Sequence, residues 1–304
     1  MKRGIILVKA EPDYEKEFEN FLAREKHLAL MIRSRVSKYG DSKIAVRHKP
    51  YGEWIAYTWK ELGDLIETTA KGLLEFNVKE EEFVGIFANN RVEWAVADYA
   101  SFSIRAASIP VHATNSIAEL ENIINHAEIR ILFVGNQEQY EKALTLLGKS
   151  PSLKKIIVFD KIATIEKCPE VIYFDDLLQI AHQAVYNKEF EARLAKLDSE
   201  DLSTLIYTSE ATCTPQAVML THKAWLAMMF ATGYHVEIIE TDINLAFLPL
   251  SQIFERAWSY FVLCGNAQLD YCHDMKALET FHQHHITSAV SPNYGKNLCQ
   301  SKTC

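Results

Sequence analysis

Residues 83–134 read FVGIFANNRVEWAVADYASFSIRAASIPVHATNSIAELENIINHAEIRILFV, and the fold class follows from their rhythm. The apolar residues fall into three short runs, Phe83–Ala88, Ala106–Val111 and Ile129–Val134. Between them lie two segments of helical length. One covers Val92–Ile104; the other runs to Ala127 and is opened by Ser116 and Glu119 as a capping box. Short apolar runs separated by helices predict βαβ units and a mainly parallel sheet, with right-handed crossovers placing helices on both faces.

The alternation continues outward. A helix is expected over Glu138–Leu147 and a fourth run over Lys155–Phe159. After a polar, helix-rich connector at Asp175–Lys196, strands are expected at Leu202–Tyr207, Leu245–Leu248, Gln268–Tyr271 and Ile286–Val290. Helices are expected from His222, from Ile253 and over Met275–His284. Toward the N-terminus, Thr58 and Glu61 cap a helix to Asn77, and Lys43–Tyr57 alternates about Pro50-Tyr51-Gly52 as a hairpin. Residues 14–39 read as one long amphipathic helix stopped by Gly40. The expected fold is α/β, with consecutive doubly wound, mainly parallel sheet layers. Its parts are an N-terminal helical segment (1–40), a first α/β subdomain (41–200), an incomplete second one (201–290) and a tail (291–304).

Composition sets the outer bounds. At 304 residues, 48% hydrophobic and 24% charged, the chain is ordinary for a globular protein. Its net charge, 32 − 40 = −8, offers no global field for nucleic acid. No run approaches the roughly 18 apolar residues of a spanning helix. The start, Met1-Lys2-Arg3 followed by Ile5–Val8, imitates a signal peptide but is cut off by Lys9 and Glu11. The six cysteines read as reduced cytosolic thiols, and the expected location is cytoplasmic. Cys272-His273 and His282–His285 match no known metal-site spacing and are read as surface residues. Glu255 and Arg256 are expected to form a charge pair. Trp258, Tyr260 and Phe261 read as a core face.

One loop carries candidate chemistry. After Leu202–Tyr207 the chain runs Thr208-Ser209-Glu210-Ala211-Thr212-Cys213-Thr214-Pro215-Gln216-Ala217-Val218-Met219-Leu220-Thr221-His222. Hydroxyls and free backbone N–H groups after a buried strand suit phosphate oxygens, although such a composition is more often a solvated turn.

Residues Tyr207–His222 match, at eleven of sixteen places, the Tyr-Thr-Ser-Gly-Thr-Thr-Gly-Thr-Pro-Lys-Gly-Val-Met-Leu-Thr-His signature of AMP-forming acyl-CoA synthetases. The chain resembles the long-chain fatty acid type of that family. Trp59, Asn90–Trp94, Ala113–Ser116, Leu132–Gly135, Leu248–Ser251 and Phe254–Arg256 extend the resemblance over roughly residues 14–290. It implies ligation of a long-chain fatty acid to CoA through an acyl-adenylate, with ATP and Mg²⁺ as the family's cofactors. Thr208, Ser209, Thr212 and Thr214 would then belong to the ATP phosphate loop, and Gln252 and Trp258 to the acyl and CoA channels.

The departures fall on the loop's chemistry. Glu210 and Cys213 stand where the family has glycine, Gln216 where it has lysine and Ala217 where it has glycine. A carboxylate ~4 Å from a phosphate oxygen costs on the order of 4 kcal/mol at an effective dielectric of ~20, roughly a thousandfold in affinity. Gln252 replaces a histidine. The family's metal-binding Tyr-Gly-x-Thr-Glu segment and C-terminal lid have no counterpart in the sequence. One back-translation of Ser291–Cys304, shifted by one base, reads Pro-Arg-Ile-Met-Glu-Lys-Ile-Tyr-Ala-Lys-Val-Lys-Leu, the family's own continuation. A single inserted base after codon 290 is therefore expected to have produced this tail. The chain is expected to be inactive alone. The alternatives are a non-catalytic pseudoenzyme pairing with an intact synthetase and a gene remnant. Fatty acid and CoA are the implied small-molecule partners, and peripheral contact with the inner face of a membrane is a further expectation.

Overall fold

The computed structural model describes residues 13–50, 52–166, 168–183, 187–208 and 216–272. A seven-stranded sheet holds the predicted βαβ run. Its strands are β3 (Phe83–Phe87), β4 (Ala107–Val111), β5 (Ile131–Val134), β6 (Lys155–Val158), β7 (Val171–Tyr173), β8 (Leu202–Thr208) and β9 (Gln216–Thr221). Their order is β7-β6-β5-β3-β4-β8-β9, parallel throughout except for β9, which returns antiparallel along β8. A second sheet of four strands has the order β10-β11-β1-β2, built from β1 (Ile44–His48), β2 (Ile55–Thr58), β10 (Ile243–Ala246) and β11 (Gln268–Tyr271). The hairpin β1–β2 is antiparallel, as its alternation predicts.

The sheets do not follow the chain order that the sequence suggests. Strand β8 does not open the second sheet: it lies beside β4, where Thr204 Oγ1 donates to the Ser108 carbonyl at 2.6 Å. The early hairpin joins the late strands instead, with β1 parallel to β11. The sequence pattern does not predict strands β7 and β9. The polar connector resolves into α7 (Phe174–Gln183) and α8 (Asn187–Leu194).

Helix α4 (Val92–Ser103) ties the sheets together. It is buried along its length and packs on β3 and β4 from one side and β1 from the other. Both predicted capping boxes are present. Thr58 and Glu61 open α3 (Trp59–Glu75), and Ser116 and Glu119 open α5 (Ile117–His126). A third, Asn136 with Gln139, opens α6 (Gln137–Leu144). Helix α3 approaches α7 so closely that a methyl at Gly72 would lie 2.4 Å from Leu177 Cδ1.

The expected helix over 14–39 is two helices, α1 (Tyr14–Glu25) and α2 (Leu28–Tyr39). The chain breaks at Lys26, whose φ is +54°, and His27 caps α2 by accepting from the Ala29 N–H. The break lets His27 enter the core. Its ring lies 3.5 Å, centroid to centroid, from that of His222, the first residue of α9 (His222–Gly233). Burial pushes the His27 pKa down to about 3 and that of His222 well below its ordinary value. Next to the break, buried Glu25 pairs with Arg35 at 2.5 Å.

Candidate functional site

The hydroxyl-rich loop joins β8 to β9. Thr208 is the last residue of β8 and faces Gln216, the first of β9, across an antiparallel register; Tyr207 faces Ala217. The hairpin therefore fixes both stems of the loop at the carboxyl end of β8. Ser209, Glu210, Thr212, Cys213 and Thr214 lie outside the described residues, as do the expected helix at Met275–His284, the strand at Ile286–Val290 and the tail 291–304. At the stem, the Tyr207 hydroxyl is 2.7 Å from His126 Nδ1 at the end of α5. Burial raises the Tyr207 pKa to about 12, so it remains a phenol at neutral pH.

A second feature needs the topology to be seen. From β3 the chain moves to β4 on one side, then returns to β5 on the other. At such a reversal the loops at the strands' carboxyl ends diverge, which is where doubly wound sheets bind ligands. A cleft of about 200 Å³ opens there, with Asn89, Asn90 and Arg91 following β3, Gly135 and Asn136 following β5, and Lys49 following β1.

Buried Gln139 pins the loops of this cleft. Its Oε1 accepts from the N–H groups of Gly135 (3.1 Å) and Asn136 (3.2 Å), and its Nε2 donates to Asn89 Oδ1 (3.0 Å). A methyl at Gly135 would lie 2.4 Å from Gln139 Oε1 and 3.0 Å from the Ala88 Cβ, so the Gln139 amide would have to shift to admit it. Arg91 grips Glu93 with two hydrogen bonds, 2.9 and 3.0 Å, and donates to the Gly135 carbonyl at 3.2 Å. Burial would raise the Glu93 pKa, but Arg91 and His48 hold it below the ordinary carboxylate value.

Asn90 carries the cleft across to the second sheet. Its Nδ2 donates to the Leu248 carbonyl at 2.7 Å, and its Oδ1 accepts from the Leu250 N–H at 2.8 Å. Two separate pieces of the sequence resemblance, Asn90–Trp94 and Leu248–Ser251, thus meet in space. The second piece leads into α10 (Ile253–Cys264), whose N-cap is the exposed Gln252. Trp258, on the same helix, is partly buried against the core with its ring 5.6 Å from that of Phe261.

Glu255 and Arg256 do not pair with each other. Arg256, only 1% exposed, reaches Asp98 on α4, with Nη2 to Oδ1 at 2.5 Å. Its other donors meet the hydroxyls of Tyr260 (2.7 Å), Thr204 (2.8 Å) and Ser108 (2.6 Å). One guanidinium therefore binds α10 to α4, β4 and β8, the strand that bears the loop. Successive helical residues point about 100° apart, so Glu255 turns elsewhere and accepts from the Leu248 N–H at 3.0 Å. Burial pushes its carboxyl up to about 8. Among the described residues no group of three or more His, Cys, Asp or Glu side chains could hold a metal ion.

A model of the AMP-binding enzyme family matches residues 32–301. The chain belongs to that family. The match runs past residue 290, where the motif resemblance ends, and so covers most of the tail read as frameshifted. The long-chain-fatty-acid–CoA ligase 1 of Cavia porcellus is 28% identical over 255 residues, covering 76% of this chain and 35% of that one. The FadD15 ligase of Mycobacterium tuberculosis is 30% identical over 229 residues, covering 75% and 37%. The chain spans roughly a third of the length of these relatives. Among solved structures, a putative long-chain-fatty-acid CoA ligase from Rhodopseudomonas palustris superposes with a TM-score of 0.73 at 18% identity, covering 90% of this chain and 65% of that one. The N-terminal domain of FACL13 from Mycobacterium tuberculosis gives 0.69 at 15% identity, covering 84% and 60%. The fold of this chain is thus that of the N-terminal part of adenylate-forming ligases. No helix among the described residues is long and apolar enough to cross a membrane.

Proposed function

We propose that this chain is the N-terminal scaffold of a long-chain fatty acid–CoA ligase whose phosphate loop no longer supports acyl-adenylate formation. The fatty-acid chemistry rests on the relatives, which are long-chain ligases by name. The loss of activity rests on one observation: the β8–β9 hairpin keeps the loop's stems in register, while the side chains it carries do not suit a polyphosphate. Position 216, at the mouth of the loop, is a neutral Gln rather than a cation, and Glu210 adds a negative charge. Magnesium ATP therefore does not fit this donor set, and no catalytic step follows from it. Among the described residues the switch-point cleft, with Lys49 in its lining, is the place proposed for CoA, another of the family's substrates.

A second reading, a non-catalytic partner of an intact ligase, is favoured by the outer strand of the large sheet. On β9, Val218 is 45% and Met219 66% exposed, apolar surface at an edge that suits more protein. Pyrophosphate exchange into ATP with palmitate, measured on the purified chain, tests the first reading. Exchange at background is expected, and fatty-acid-dependent exchange at the rate of an intact ligase overturns it.

A further inference from the structure

The corner between α1 and α2 carries two histidines that neither the fold's core nor the phosphate loop calls for. His27 and His222 are 0% and 1% exposed, with their rings in contact. Phe102 of α4 stands edge-on to His222 at 4.7 Å. Among the described residues, neither His27 Nε2 nor His222 Nδ1 has a hydrogen-bond partner. The charges around the pair are already engaged. Asp201 and Asp198, on the turn into β8, are the carboxylates whose field reaches His27. Asp201 is bonded at 2.7 and 3.0 Å to Arg105, just past α4, and Asp198 accepts from the Glu200 N–H at 2.9 Å. Arg256 of α10, whose charge reaches His222, is paired with Asp98, and Lys223 beside it is paired with Glu200. On the corner itself, Glu25 is paired with Arg35. Burial outweighs these charges and keeps both rings neutral at pH 7.

The hydrogen bond at His27 fixes what a proton would do there. Its Nδ1 caps α2 by accepting from the Ala29 N–H at 3.1 Å, so the neutral ring carries its hydrogen on Nε2. The Nδ1 lone pair is therefore the ring's basic site. A proton on it turns the cap's acceptor into a donor that faces another donor. It also places a positive charge against a second imidazole inside the core. The element beyond the corner is weakly held. Only Glu25 is buried in α1, whose grip on α9 is Phe18 and Phe21 on Phe230 and Tyr14 on Tyr234. Few buried contacts make such a helix a candidate for opening by itself.

We propose that His27 and His222 form an acid-sensitive latch: the neutral ring pair holds the α1–α2 corner on α9, and protonation of His27 releases α1. Release uncovers Phe18, Phe21 and Phe230 while both sheets stay folded. The latch is independent of the phosphate loop and of any ligand bound there.

Amide hydrogen exchange of the full chain between pH 7.5 and 5, corrected for intrinsic rates, tests this. A histidine with a pKa of about 3 when closed and 6.5 when open holds fully above pH 6.5 and loses its hold as pH falls toward 3. Opening of α1 and of the start of α9 should therefore rise roughly thirtyfold from His27 alone, and further with His222. Strands β3–β5 should stay protected. His27→Asn keeps a cap acceptor without a titratable ring and should remove the thirtyfold share. His222→Phe keeps an aromatic ring against Phe102 and should bring the rise down to His27's share; it decides the matter if His27→Asn does not fold. A rise below about threefold in the parent overturns the proposal, as does a rise that His27→Asn leaves intact. Exchange in β3–β5 that climbs together with α1 overturns it in favour of global acid unfolding, and a rise unchanged by His222→Phe overturns the pairing.

Discussion

Replacing Asp98 with Asn would leave the Arg256 guanidinium 1% exposed with no counter-charge. The hydroxyls of Tyr260, Thr204 and Ser108 would still accept from it, so the geometry need not collapse. The charge would remain. Removing one partner of a buried ion pair typically costs about 3–5 kcal/mol, a large part of a domain's net 5–15 kcal/mol. With a urea m-value near 2–3 kcal/mol/M, the unfolding midpoint should fall by roughly 1–2 M. Tryptophan fluorescence is a direct reporter, because the rings of Trp94 and Trp225 lie 5.3 and 5.7 Å from the guanidinium. Removing both charges with Asp98→Asn and Arg256→Met should recover most of the loss, since no buried charge is then left alone. A single variant within about 1 kcal/mol of the parent, or a double variant whose loss is the sum of the singles, would refute the claim that this pair clamps α10 to α4.

Two other perturbations have defined outcomes. Glu255 has its carboxyl raised from an ordinary value near 4.5 to about 8, so the stability it permits is full below about 4.5 and is lost as pH rises through about 8. Glu255→Gln, which can still accept from the Leu248 N–H, should grow more stable relative to the parent across that window, by roughly 1 kcal/mol per pH unit; parallel urea-midpoint curves from pH 5 to 8.5 would contradict this. Gly135→Ala places a methyl 2.4 Å from Gln139 Oε1 and should cost about 1–3 kcal/mol in urea unfolding, with faster proteolysis of the loop after β5; an unchanged midpoint would mean that the cleft's walls give freely.

The local grammar of this chain was largely legible. Strands β3, β4, β5 and β6 and the capping boxes of α3 and α5 follow from residues close in sequence, where side-chain period and cap chemistry act. What escaped was non-local. Nothing near Leu202 says that β8 pairs with β4 rather than opening a new sheet, because parallel neighbours are chosen by packing between distant segments. Arg256 finds Asp98 across 158 residues, so adjacency suggested Glu255 instead. The break at Lys26 pays a positive φ to bury His27, a tertiary trade that amphipathic period conceals. The candidate site divides in the same way. Its loop is a contiguous motif and could be read directly, whereas the cleft exists only because the strand order reverses between β3 and β5.

The loop's charge sets its affinity for polyphosphate, and inorganic tripolyphosphate isolates that effect from any adenine or acyl contact. Equilibrium dialysis should compare the chain with its Glu210→Gly, Cys213→Gly, Gln216→Lys variant at low ionic strength. The variant should bind tripolyphosphate at least about tenfold more tightly, with a gap that narrows as salt is added. Equal affinity for the two chains would contradict it.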